Sequence, residues 1–258
     1  MEKYRIILNN ENNELIFLYK EKSINVKIIY RNRKNISIKV IPKNNIEIIS
    51  PRSVSLSFLK SVLDEKSSWI IKTLDKFENV DENFHNRKYI NGEIFYYRGE
   101  EYKLKIIEDE NSEKNKKSYC YINISSKELL ITTNNNEAKY IRNELKKWYK
   151  TESEKIVVSR LELLKKENCI MNNLNPSVIK IKEQKKRWGS CTSRKVIYIN
   201  SKISMAKVDI IDYILVHEFS HLVYMNHSKE FYNLVEKILP NYKECEKWLN
   251  EYSYKLNL

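Results

Sequence analysis

Three of the chain's four histidines, His217, His221 and His227, fall within eleven residues. The segment reads His217-Glu218-Phe219-Ser220-His221, with the third histidine six positions further on. On a helix, residues four apart stack on one face, so His217 and His221 can offer two imidazoles to one ion. A zinc ion held by three protein ligands keeps a fourth position for water, which marks a catalytic rather than a closed structural site. Such an ion activates water and polarises a carbonyl. Glu218 can take the water's proton and pass it to the leaving amine. The chemistry predicted is hydrolysis of a peptide bond. Chance would supply this pattern about once in ten thousand chains of this histidine content. His85, the fourth histidine, stands alone in a polar stretch and has no predicted role.

These residues need a helix to align them. Ile210, Ile211, Ile214, Leu215, Leu222 and Val223 recur at helical spacing, which predicts a helix from about Asp209 to Met225. Burial there favours neutral imidazole, the form that binds metal. Tyr224-Met225-Asn226 must then turn the chain, with Asn226 the residue suited to a left-handed conformation. Ser228 can cap a following helix, Lys229 to Leu239, closed by Pro240. Each ligand histidine should find a carboxylate or carbonyl for its other nitrogen. Asp212 is offset around the helix from His217 and is not given that part.

Strand patterns precede the helix at 178–181, 187–191 and 196–200, with 192–195 as a turn. Gly189, inside the second of these, predicts a bulge or a close backbone approach. A strand edge beside the histidine helix could hold an extended peptide by backbone hydrogen bonds. Trp188, Gly189 and Ser190 are therefore candidate substrate-binding residues, whereas Cys191 reads as a small buried hydrophobe.

The chain has 258 residues, 41% of them hydrophobic, enough for one large or two modest domains. No apolar run approaches the length of a membrane span, and Met1 to Arg5 lacks the apolar core of a signal peptide. Cys120, Cys169, Cys191 and Cys245 are widely separated, which suits a reducing compartment. A soluble cytoplasmic protein is expected. Net charge is +13, and Lys182, Lys185, Lys186, Arg187, Arg194 and Lys195 cluster near one hairpin. Such a balance admits nucleic acid as a partner, although charge alone speaks to non-specific binding. With three glycines in all, no glycine-rich phosphate loop can be built.

Residues 1–135 read as mostly strand, with Ile- and Val-rich alternation at 25–30, 35–41 and 46–49. Ser53 or Ser55 would cap one helix over about 54–77, with Phe58, Leu59, Val62, Trp69, Ile70 and Leu74 on its apolar side. Residues 75–88 read as a linker and 109–117 as a charged loop. Two strands flank Arg98-Gly99-Glu100, and one or two more lie within 121–131. A long helix is expected from about Glu137 to Asn168, and no internal repeat is evident.

Arg187-Trp188-Gly189-Ser190-Cys191, Ile199-Asn200, Asp212-Tyr213, Val216-His217-Glu218-Phe219-Ser220-His221 and Asn226-His227-Ser228 with Phe231 resemble the YgjP-like metallopeptidases. The likeness continues upstream in Arg33-Lys34-Asn35, Ser50-Pro51 and Trp69-Ile70, so it covers about residues 20 to 250. It implies a kinship with SprT-like proteases, some of which act on proteins attached to DNA. It also implies zinc on His217, His221 and His227, catalysis by Glu218, and a Trp188–Cys191 segment close to the active site. Metzincins share the histidine spacing but carry glycine where this chain has Tyr224, and they have a downstream Met-turn without a counterpart here.

The expected architecture is α+β. A β-rich region, 1–135, precedes a mainly helical zincin-like catalytic region, 136–258. The expected function is zinc-dependent proteolysis of a protein or peptide substrate, with one catalytic zinc ion and no membrane contact. The alternatives are a metal-dependent nucleotide hydrolase acting on a phosphoanhydride and a basic, DNA-associated protease or adaptor of the SprT-like kind.

Overall fold

Alternating Ile, Val and Leu build three sheets among the described residues. The computed structural model describes residues 4–9, 14–41, 45–78, 87–108 and 118–258, so His85, the loop 109–117 and most of the expected linker lie outside the described residues. The chain divides into two compact units, 1–82 and 83–258.

The first unit holds β1 (Arg5–Asn9), β2 (Glu14–Tyr19), β3 (Lys22–Tyr30), β4 (Ser37–Ile41) and β5 (Asn45–Ser50), ordered β1-β2-β3-β5-β4. Every second residue turns inward, as a one-sided sheet requires: Leu15 and Phe17 in β2, Ile46 and Ile48 in β5. Two helices cover that face, α1 (Leu56–Glu65) and α2 (Ser67–Glu78). Ser55 caps α1 by accepting from the Phe58 amide at 3.3 Å. The single helix expected over 54–77 is thus broken at Lys66. Leu59, Leu63, Ile70 and Leu74 fill the core, while Phe58 and Trp69 stay about half exposed, at 54% and 48%. The expected apolar side was too wide: the fully buried apolar residues of the two helices are spaced by four or seven.

The second unit opens with β6 (Ile94–Tyr97), β7 (Glu100–Glu108), β8 (Tyr119–Asn123) and β9 (Glu128–Thr133), ordered β6-β7-β9-β8. This sheet repeats the plan of β2 to β5. Each begins with a hairpin closed by two left-handed residues, Lys20-Glu21 (φ 48° and 61°) and Arg98-Gly99 (φ 50° and 82°), the conformation that type I′ turns require. The next strand then pairs in parallel, Val26 with Ile46 and Leu104 with Leu129. The last pairing is antiparallel, Ile38 with Ile48 and Cys120 with Ile131. A helix follows each sheet. An internal repeat is therefore present, contrary to the expectation from sequence. Its trace is short: Val26-Lys27-Ile28-Ile29 answers Leu104-Lys105-Ile106-Ile107, and the remaining positions keep only polarity.

After the second sheet runs α3 (Ala138–Glu167), then α4 (Cys169–Asn173), and a three-stranded sheet of β10 (Val178–Lys182), β11 (Gly189–Cys191) and β12 (Val196–Asn200), ordered β10-β12-β11. A 3₁₀ turn at Ile203–Met205 leads to α5 (Val208–Ser220), α6 (Lys229–Ile238) and α7 (Tyr242–Tyr252). One core runs from Phe95, Leu104 and Ile131 through Ile141 and Leu145 to Ile197, Ile214 and Phe219. This is why the units divide at 82/83, where the sequence suggested 135/136. The sheet of β6 to β9 buries its face against α3, and Tyr149 of that helix donates to the Tyr96 carbonyl at 2.7 Å. No helix among the described residues is long and apolar enough to cross a membrane.

An ion pair ties α3 to the histidine helix. Arg160 donates to both oxygens of Asp212, at 2.8 and 2.7 Å. Asp212 is thus occupied elsewhere and does not orient a histidine. Asp212→Ala should destabilise the fold by about 1–2 kcal/mol, because it removes two charge-assisted hydrogen bonds from a guanidinium that water still reaches. An unchanged urea midpoint would remove the pair from the forces holding α5.

Candidate metal centre

His217 lies in the last turn of α5 and His221 caps it in helical conformation (φ −67°, ψ −14°). The helix stops five residues short of the expected Met225. Leu222 and Val223 donate to the carbonyls of Phe219 and Ser220 at 3.0 and 3.1 Å, which tightens the chain into a turn. Val223 and Met225 are half exposed, so nothing apolar rewards a further helical turn. Asn226 is not among the described residues of positive φ. The chain reverses through successive turns, without a left-handed residue. Ser228 then caps α6 by accepting from the Phe231 amide at 3.4 Å.

This elbow returns His227 to the other two. The Nε2 atoms of His227 and His217 are 3.0 Å apart, and one ring nitrogen from each of the three histidines falls within 4.8 Å of the others. Nitrogens sharing one tetrahedral zinc at bonds of ~2.0–2.1 Å lie about 3.3 Å apart, so the cluster fits an ion with small adjustments. Phe231, fully buried, backs the rings of His217, His221 and His227 at 5.0, 4.6 and 4.9 Å. The Tyr224 carbonyl lies 3.0 Å from His221 Nδ1, the outer partner expected of a ligand histidine. His217 Nδ1 is buried and finds no such partner.

Glu218 is 6% exposed, with Oε2 unpartnered. It packs on β11. A Cβ built on Gly189 would lie 2.5 Å from Glu218 Cγ and from Oε1. Gly189 is therefore no bulge: β11 keeps regular register with β12, Gly189 opposite Ile199. Its missing side chain makes room for the carboxylate.

A cleft of about 550 Å³ joins these groups. It is lined by the three histidines and Glu218, and by Trp188, Gly189 and Ser190. Arg187, Cys191, Tyr213, Ile214, Met225 and Leu249 complete the lining. Tyr213 could have been found four residues before His217, on the same helical face. Leu249, from α7, carries no local signal. The Cys191 thiol is pushed up by burial and by Glu218, so it stays protonated and is no nucleophile at neutral pH.

Burial sets the charges. It pulls His217 down to about 4, with His221 and His227 adding to the effect, and it lowers His221 as well. The pair is neutral and ready to donate to a cation. Burial pushes the Glu218 carboxyl up to about 8, against the pull of Arg187.

The two shifts have opposite signs in stability. A histidine lowered on folding loses stability as pH falls from 6.5 to about 4. A carboxylate raised on folding loses stability as pH rises from 4.5 to about 8. Metal-free Glu218→Gln protein should therefore lose stability on acidification more steeply than wild type between pH 6.5 and 4.5, by about 1.4 kcal/mol per pH unit. Parallel urea-midpoint curves for the two proteins would contradict this.

The family model described as "YgjP-like, metallopeptidase domain" matches residues 34–252. The chain belongs to the YgjP-like family. Its membership makes it a metallopeptidase at family level and implies a metal, which the histidine triad can hold. The YgjP-like match takes in all four site residues of α5 and the elbow. No curated protein matches the chain.

Proposed function

We propose that this chain is a zinc peptidase in which His217, His221 and His227 hold the ion and Glu218 is the general base. The observation that carries the proposal is the convergence of three imidazole nitrogens within 4.8 Å beside a buried carboxylate oxygen that has no partner. An all-imidazole donor set suits zinc. Bound there, zinc would supply Lewis acidity and a lowered pKa for water.

The remaining work falls to the chain's own residues. Glu218 must be ionised to accept a proton, and burial opposes that. Arg187 offsets part of that cost, and a nearby dication would restore the charge. The carboxylate then takes a proton from water and delivers it to the leaving amine. β11 lies at the edge of its sheet and lines the cleft. Its free backbone groups can pair with an extended peptide, laying a scissile carbonyl over the histidines. Trp188 and Ser190 flank that path. The free thiols of Cys120, Cys169, Cys191 and Cys245 support a reducing, cytoplasmic setting.

Elemental analysis beside peptide cleavage tests this reading. Wild type should carry about one zinc per chain and cleave peptides until chelated, and His217→Ala should lose both properties. Wild type that binds no zinc, and takes none up when it is added, would sink the proposal.

A further inference from the structure

Arg187 is an exposed cation on the cleft, close enough to Glu218 to pull on its carboxyl. It lines the same cavity as His217 and Glu218 and forms no ion pair with any described residue. Its neighbourhood is one-sided in charge. Residues 178–202 contain eight Lys and Arg against one acidic residue, Glu183, which is bonded to Lys146 at 2.8 Å. The loop that presents Arg187 is fixed from below. Asn200, 3% exposed, donates to the carbonyls of Gln184 and Arg187, each at 2.8 Å, and its own amide donates to the Trp188 carbonyl at 2.8 Å. The guanidinium therefore starts from a held backbone, at the Gly189 end of β11, beside the general base. Ile214, Met225 and Leu249 also line the cleft and add no charge to it.

A planar guanidinium matches a carboxylate with two parallel hydrogen bonds. A polyphosphate fits less well. The cleft has no glycine-rich loop to cradle one, since the space at Gly189 is taken by Glu218 and that carboxylate would repel several negative charges. We infer that Arg187 selects the substrate: it takes a carboxylate of the bound peptide, from an Asp or Glu side chain or from the peptide's own C-terminus, at the Gly189 end of β11. The inference rests on the peptidase reading and gives that site its substrate class, an acidic peptide segment.

Two randomised decapeptide pools test it. One contains Asp and Glu, and the other has Asn and Gln in their place. Each is made with a free and with an amidated C-terminus. Cleavage is measured with zinc-loaded wild type and Arg187→Gln. Retention is measured with zinc-loaded Glu218→Gln and with the double variant Glu218→Gln/Arg187→Gln. Carboxylate-bearing peptides should be favoured by about tenfold to a hundredfold in cleavage and in retention, the range for a hydrogen-bonded charged group. Arg187→Gln should bring that ratio close to one. Preference that follows the acidic side chains assigns an internal subsite, and preference that follows the free C-terminus assigns an exopeptidase subsite. A ratio near one in wild type, or an equal ratio in both proteins, overturns the inference. Zinc-loaded protein that cleaves no pool overturns the peptidase reading, while retention still decides Arg187. Equal retention of all pools, or retention of none, counts against it.

Discussion

Glu218→Gln should keep its metal and lose peptide hydrolysis by about a hundredfold to ten-thousandfold, the range for removal of a positioned general base. The amide has the shape of the carboxylate, so the packing against Gly189 is preserved. The three imidazoles converge without Glu218, which is not part of the cluster. Metal content should then be unchanged beside wild type. An amide nitrogen or oxygen at this pH accepts no proton, and the water it faces stays unactivated. Burial already disfavours the charged form of Glu218, so the neutral variant should also be no less stable at pH 8 when metal-free. Activity and metal content together separate the roles. Normal turnover would remove Glu218 from the mechanism. Loss of metal would make it a ligand or a support for one.

The convergence of the three histidines was legible in the sequence because its parts are local. His217 and His221 need only a helix, and Ser228 marks the start of the next one, so the elbow between them is set by about ten residues. What failed there was the helix end. The apolar count ran on through Leu222 and Val223, but only burial can extend a helix, and Val223 is 52% exposed. The same limit applies to Phe58 and Trp69 in the first unit, which are apolar yet lie outside its core. Other features were hidden because they are non-local. The repeat of β2 to β5 in β6 to β9 is a matter of register, which depends on alternation and turn geometry more than on identity. The unit boundary depends on α3, whose Tyr149 serves the sheet before it and whose Ser153 donates to the Ser201 carbonyl at 2.9 Å. The helix itself was readable, but not the side on which its partners lie. Arg187 was visible twice, in a basic cluster and in a family motif. Only the cleft shows it beside Glu218 and outside any ion pair.

Gly189→Ala should lower kcat by about a hundredfold, with zinc content retained and the fold intact. A Cβ at this position meets Glu218 Cγ and Oε1 at 2.5 Å and Cδ at 2.6 Å. Those distances are too short for carbon and oxygen in contact, so something must shift. β11 is held by its pairing with β12, Ser190 opposite Tyr198, and by the amide of Asn200 on the Trp188 carbonyl. Glu218 can yield only by rotating away from the strand, into the cleft or towards the histidines. A displacement near 1 Å of a reacting group costs about a hundredfold in rate. The overpacking should also destabilise the protein by about 1–3 kcal/mol. Glu218→Gln/Gly189→Ala separates the two causes. If Gly189 acts through Glu218, the double variant should be no slower than Glu218→Gln alone. Full activity in Gly189→Ala, or rate losses that multiply in the double variant, would show that the strand at Gly189 serves substrate binding and not the placement of the base.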